Sequence, residues 1–338
     1  MGWIGHRECG RRALGRAAWF GAAALVAACG GGGSSTPPDT GPSDAQRGAA
    51  AAATAQSSTN PCATITPFYW EVGDRNARLA SGSVDSATSS TRYTASTPMS
   101  IASASKWLYA AYVVQKRNAV LSDSDVKFLT FRSGYTNFSQ CLPSQSVDTC
   151  LAYQSNGLHS DATDGLFAYG GGHMQKHASL IGLGALFDAG LGAEVQSQLG
   201  ADVGLAYSQP QPAGGMVSSA DDYGRFLRKL LGGQLQMGTL LGSHAVCTNP
   251  ATCAQAAYTP VPSSESWHYS IGHWVEDDPA VGDGAFSSAG AFGFYPWIDA
   301  GKTWYGVLAR QAVASGEGYD SARCGRLIRK AWVTGTAQ

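Results

Sequence analysis

Charge is what this 338-residue chain has little of. Only 14% of its residues are Asp, Glu, Lys or Arg, and 23 basic against 24 acidic side chains leave a net charge of −1. That balance offers no phosphate-binding surface, so nucleic acid is not an expected partner. A Walker loop, a dinucleotide glycine fingerprint and an internal repeat are also missing, which argues against nucleotide-dependent chemistry and solenoid folds. After Cys29 no apolar run reads as a membrane span. Metal-ligand spacing is lacking too. His173 and His177 share a possible helix face, but Met174, Gln175 and Lys176 supply no catalytic-zinc signature, and neither close cysteine pair has a compelling zinc spacing. No cofactor or metal is expected. Nine tryptophans and fourteen tyrosines are present, but burial explains many of them and their number alone implies no polymer-binding surface.

What is there begins with an export signal. His6, Arg7, Arg11, Arg12 and Arg16 precede the apolar run AAWFGAAALVA, too short for a normal span and therefore read as a signal peptide over 1–28. Leu25-Val26-Ala27-Ala28-Cys29 resembles a bacterial lipoprotein processing site at which Cys29 becomes the lipidated first residue; simple secretory cleavage nearby is the alternative. The Gly/Ser/Pro/Ala-rich stretch 29–60 reads as a flexible tether. The expected location is the periplasmic side of a bacterial outer membrane, anchored in the bilayer through acylated Cys29, or a secreted state.

Residues 61–338 are long enough for a sizeable core, as one large domain or two coupled lobes. Of eight cysteines, Cys9 is removed with the signal and Cys29 is assigned to lipid, leaving an even set of six. In an exported protein this suggests disulfides. Cys141 with Cys150 and Cys247 with Cys253 look like local loop staples, leaving Cys62 to pair with Cys324 and close a large loop; six free structural thiols are the competing reading.

The chemical clue is Ser103-Ala104-Ser105-Lys106. Positions i and i+3 share a helix face, so Lys106 can approach Ser103, and a neutral amine there can accept the serine proton. TPMSIA reads as a short extended lead-in, which places Ser103 on the first helical turn, where free N–H groups favour a developing anion. The bland alternative is a serine cap beside a solvated lysine.

Around this pair, ITPFYWEVG and ARLASGSV read as a strand pair, and residues about 120–213 as a mostly helical lobe. SADDYGRFLRKLLGG reads as a packed amphipathic helix with Asp221 and Asp222 early and Arg228 and Lys229 late. WHYSIGHWVE, AFSSAGAFGFYPWID and TWYGVLAR read as successive strands, and SARCGRLIRKAWV as a closing helix.

This order resembles the penicillin-recognising serine hydrolase superfamily, especially its class C β-lactamase and esterase-like branches, over almost the whole mature chain. Ser103-Ala104-Ser105-Lys106 matches the family's Ser-x-x-Lys element. FLTFRSGY resembles the loop after the active-site helix, and PAGGMVSSADDYGRFLRKLL a later glycine turn and helix. Tyr169-Gly170-Gly171 stands where the family carries tyrosine followed two positions later by asparagine or serine. Ser288-Ala289-Gly290, expected at the start of a strand, stands where relatives place Lys or His, then Thr or Ser, before glycine. The resemblance implies an α/β (α+β) fold of the β-lactamase/transpeptidase type, an antiparallel sheet flanked by helices with an inserted helical lobe. It implies Ser103 as nucleophile, with Lys106 and Tyr169 as its proton-handling partners. Phenolate character at Tyr169 is expected to be favoured by Lys106. Gly171, Ser288, Ala289, Gly290 and Ala291 are the implied substrate or oxyanion positions, with the Ser103 and Ala291 amides as the hole. Ser288 is expected to orient substrate through its hydroxyl, Gly290 to leave it room, and His173 to touch it.

Loss of the third motif's cation and hydroxyl favours an esterase acting on a small or moderately apolar acyl group, in keeping with Ala289, Ala291, Phe292 and Phe294 nearby. A β-lactamase, a D,D-peptidase or a D-amino-acid amidase is the enzymatic alternative. A catalytically weakened envelope binding protein is the non-enzymatic one.

Overall fold

The expected strand pair forms as β1 (Phe68–Gly73) and β2 (Arg78–Val84), turned by Asp74, whose carboxylate accepts from the Asn76 and Ala77 amides at 2.7 and 2.8 Å. The structure is a computed structural model that describes Gly2 and residues 41–338. The signal segment, Cys29 and the first part of the tether lie outside the described residues.

Six further strands complete the main sheet: β7 (Val246–Cys247), β9 (His268–Tyr269), β10 (Trp274–Glu276), β11 (Ala285–Ser287), β12 (Tyr295–Ile298) and β13 (Tyr305–Ala309). Their order is β2-β1-β13-β12-β11-β10-β9-β7, antiparallel throughout. Short strands β3 (Met99–Ser100), β6 (Met216–Ser218) and β5 (Ala206–Tyr207) make a second sheet, and β4 (Phe167–Ala168) pairs in parallel with β8 (Ala256–Tyr258).

Helices cover both faces of the main sheet, and strand alternation decides which side chain meets which helix. Tyr305 points to one face, where Arg228 of α7 (Ala220–Leu231) donates to its hydroxyl at 2.6 Å. Tyr295 points to the other, where Arg329 of α8 (Gly318–Thr334) donates at 2.8 Å. With both faces covered, β1 and β13 are buried at every position, which is why their sequences run apolar with little alternation. Helix α7 follows its sequence signals: Ser219 accepts from the Asp222 amide at 3.2 Å, and Phe226, Leu227 and Leu230 are buried.

The tether expected over 29–60 ends earlier than that. Ser43 caps α1 (Asp44–Ala55) through a reciprocal box with Gln46, and the helix packs on α8, with Arg47 donating to the Trp332 and Val333 carbonyls at 2.9 and 2.6 Å. The alanine tract has no sustained apolar face, yet alanine is a strong helix former and its small side chains let two helices approach closely.

Helix α2 (Ser105–Lys116) runs through the middle of the molecule, buried from Ser105 to Val114. Between α2 and α7 the chain contributes α3 (Asp123–Leu129), α4 (Val147–Leu151), α5 (Gly172–Ala178) and α6 (Asp188–Leu199), separated by long connections. The cysteines meet as Cys62–Cys324, Cys141–Cys150 and Cys247–Cys253, with Cα separations of 4.7, 5.0 and 6.2 Å.

Candidate active site

Strand β3 delivers the chain to Ile101, whose amide donates to the Met216 carbonyl at 3.0 Å. Ala102 then adopts a left-handed φ of 43°, and a short 3₁₀ turn over Ala102–Ala104 leads into α2. A left-handed alanine costs roughly 1–2 kcal/mol, so the turn that presents Ser103 is held by its surroundings. Those holds include the Tyr223 hydroxyl, which donates to the Ala104 carbonyl at 2.9 Å. The first backbone bond of the turn runs from Ala104 N–H to the Ile101 carbonyl, so the Ser103 amide precedes it. Ser105 faces away, accepting from the Met216 amide at 3.2 Å, which makes it a structural serine.

Lys106 Nζ lies 2.9 Å from Ser103 Oγ and donates to the Ala213 carbonyl at 2.8 Å. It is 4% exposed, and among the described residues it pairs with no carboxylate. Burial without a counter-charge penalises the ammonium and lowers its pKa to about 7. A neutral lysine keeps one N–H for Ala213 and turns its lone pair to the serine proton. Ala213 sits in the breaker-rich QPQPAGG stretch, which reads from sequence as a turn only.

Tyr169 completes the group. Lys106 Nζ sits 4.8 Å from the Tyr169 ring centroid, and the Tyr169 ring stacks on Trp274 at 5.2 Å. Burial pushes the Tyr169 phenol well above its ordinary value, against smaller opposing hydrogen bonds with Ser103 and Trp274. The expected phenolate therefore gives way to a protonated phenol, because desolvation outweighs any help from a lysine that is itself losing its charge. Tyr169 thus meets the Ser103–Lys106 pair as a neutral phenol, beside an amine that burial brings close to neutrality.

Ser103 and Tyr169 open onto a cavity of about 150 Å³ walled by Val261, Trp267, Trp274, Ala289, Ala291 and Tyr319. Among the described residues no Lys, Arg or His lines it. The third-motif segment differs from expectation. Ser288-Ala289-Gly290 follows the end of β11, and the single strand read from AFSSAGAFGFYPWID is a hairpin of β11 and β12 closed by Gly290 N–H to the Phe294 carbonyl at 2.7 Å. The run AGAFG contains the turn, since Gly293 takes a φ of 100°.

Ser288 does not line the cavity: its hydroxyl donates to the Ser103 backbone carbonyl at 3.1 Å, bracing the turn that carries Ser103. Gly290 leaves room for protein, because a Cβ there would fall 2.2 Å from the Ile101 carbonyl oxygen. Gly171 caps α5 away from the cavity, with Phe138 and Gln211 crowding its missing side chain. Phe294 is fully buried against Tyr223. His173 is buried with both ring nitrogens engaged: Nε2–H donates to the Ala168 carbonyl at 2.9 Å, leaving Nδ1 to accept from Ser133 at 2.7 Å. His177 bonds Asp125 and Tyr109 at 2.9 and 2.8 Å, so the two histidines serve separate partners. Among the described residues no group of His, Cys, Asp and Glu is arranged to hold a metal.

No protein-family model matches the chain, and no curated protein matches it by sequence. Solved structures do match in shape. Simvastatin synthase (LovD) from Aspergillus terreus superposes with a TM-score of 0.59 at 14% identity, covering 85% of this chain and 98% of its own. A D-stereospecific amidohydrolase from Streptomyces gives 0.56 at 13% identity, covering 88% and 100%. EstCE1, a hydrolase with promiscuous acyltransferase activity, gives 0.55 at 14%, covering 86% and 99%. Each covers nearly the whole of the compared protein.

Proposed function

We propose that this chain, which has the β-lactamase/transpeptidase-like fold of those three structures, is a serine hydrolase that cleaves carboxylic esters through an acyl-enzyme on Ser103. The observation that carries the reading is Lys106: an amine 2.9 Å from the Ser103 oxygen, with burial alone bringing its pKa to about 7. In the reaction, Lys106 takes the Ser103 proton as Oγ attacks the ester carbonyl carbon. The carbonyl oxygen becomes an oxyanion met by the Ser103 and Ala291 amides. Collapse breaks the acyl–oxygen bond, and the leaving alkoxide takes a proton from Lys106, relayed by the Tyr169 hydroxyl. Water, deprotonated by the same amine, then releases the acid and regenerates Ser103.

The lining of the cavity supports the choice of substrate class. Among the described residues no Lys, Arg or His lines the cavity to pair with a substrate carboxylate, so neutral esters are favoured over anionic β-lactams and D,D-peptides. At about 150 Å³ it is small beside drug-sized sites of about 300–1,000 Å³, which suits a short acyl group. A fluorophosphonate is expected to add mass to Ser103 in the wild type and not in Ser103→Ala. Wild type hydrolysing a panel of short-chain esters no faster than Ser103→Ala would refute the assignment. Matched D-amino-acid amides in the same panel separate an esterase from an amidase.

We further propose that the enzyme works at a membrane surface, held by lipid on Cys29. Palmitate incorporation in a bacterial host is expected to vanish in Cys29→Ser; its persistence there would exclude this anchor.

A further inference from the structure

Two aromatic walls of the Ser103 cavity are fastened to one carboxylate. The Trp267 indole N–H donates to Glu265 Oε2 at 2.7 Å and the Tyr319 hydroxyl to Glu265 Oε1 at 2.6 Å. Arg326 grips the same carboxylate from behind, at 3.0 Å to Oε2 and 3.4 Å to Oε1, and its guanidinium lies 5.5 Å from the Trp267 ring centroid. Glu265 is 8% exposed, and these partners hold its carboxyl below the usual range against the opposing effect of burial. Charge-assisted bonds of this kind are short and directional, so both rings are fixed in orientation as well as in place.

Glu265 and Arg326 also line a larger cleft of about 810 Å³, bounded by α8 and the β10–β11 turn. Among the described residues that cleft is lined by no serine or cysteine, so it offers neither nucleophile of its own. The Glu265–Arg326 pair thus lines the larger cleft while its two aromatic arms line the Ser103 cavity, so one hydrogen-bonded cluster borders both spaces.

We propose that Glu265 is a positioning residue that sets acyl-chain length: by clamping Trp267 and Tyr319 it closes the back of the Ser103 cavity, so that long acyl chains are excluded. This rests on the ester-hydrolase reading of Ser103 and adds to it the element that limits the acyl group. Without Glu265 both rings lose their hydrogen-bond anchor, and a long acyl chain then displaces them toward the cleft against packing alone.

The test uses ethyl 4-nitrophenyl alkylphosphonates carrying an ethyl or an octyl group on phosphorus, with Ser103 Oγ–phosphorus bond formation expelling 4-nitrophenolate. Wild type is expected to prefer the ethyl compound by roughly tenfold or more in kinact/KI, and Glu265→Ala to lose most of that preference through a lower KI for the octyl compound. Tyr319→Phe, which cuts one arm, is expected to shift the preference the same way by about threefold, and it tests the idea even where Glu265→Ala does not fold. Labelling of Ser103 with an unchanged ratio in either folded variant overturns the clamp alone. Labelling of neither wild type nor variant at Ser103 overturns the nucleophile, and the clamp with it.

Discussion

Lys106 and Arg329 are both sealed from solvent, at 4% and 1% exposure, yet they meet burial in opposite company. Arg329 donates to Glu276 at 2.9 Å, to Asp283 at 2.7 and 2.8 Å, and to the Tyr295 hydroxyl at 2.8 Å. Nearby anions there outweigh desolvation, and its pKa is driven further up. Lys106 has a hydroxyl and a carbonyl, so desolvation acts unopposed and the pKa falls to about 7. The same physical cost thus fixes charge permanently on the α8 side of the sheet and makes it titratable beside Ser103. The proposed chemistry uses the place where pairing is withheld, because a base must be able to lose its proton near the working pH.

The sharpest way to break this contrast is to give Ser103 a cation that cannot become neutral. Lys106→Arg keeps a positive group at the position, but a guanidinium stays protonated, so ester hydrolysis is expected to fall by about 10²–10⁴-fold. On the proposed mechanism, the active form of the wild type is the deprotonated amine. Acylation should therefore be at plateau above pH 7 and fall about tenfold per unit below it, following the pKa of about 7. Single-turnover release of 4-nitrophenolate, followed from pH 5 to 9, measures both. A flat profile across that range, or a Lys106→Arg enzyme within a fewfold of wild type, removes Lys106 as the base.

Much of this arrangement is legible in the sequence, because it depends on local pattern. The i,i+3 spacing of Ser103 and Lys106, the cap and charge order of α7, and the turn at Asp74 each follow from residues a few positions apart. Contact between distant segments is not legible in that way. Ala213 as the acceptor for Lys106 is 107 residues away, and Ser288 as the brace for the Ser103 carbonyl is 185 away. Neither follows from a motif, and the Ala213 partner is a backbone carbonyl that carries no residue signature at all. The raised pKa of Tyr169 escapes a motif for a related reason: its sign depends on how completely Trp274, Phe131 and Tyr269 enclose the ring. Helix α1 hides within a tether-like composition because alanine weighs little on hydropathy patterns, although it contributes strongly to helix formation and close packing.

The paired side of the contrast is tested by removing its cation. Arg329→Met leaves Glu276, which is fully buried, with the Arg326 Nε at 3.5 Å as its remaining cationic contact, and strips Asp283 of its ion pair. Stripping one partner from a buried pair costs about 3–5 kcal/mol, whereas replacing both partners by apolar groups is close to neutral. Urea unfolding is therefore expected to show that loss in Arg329→Met and recovery of at least half of it in Arg329→Met/Glu276→Met. Because Lys106 owes its lowered pKa to its own burial, the pH midpoint of acylation should stay near 7 in both variants while they remain folded. A double variant no more stable than the single one would show that the cost lies in packing around Arg329 instead of the unpaired carboxylates. A midpoint that moves would show that the two sides of the sheet are electrostatically coupled, and the separation between a charge-fixing region and a charge-releasing one would no longer hold.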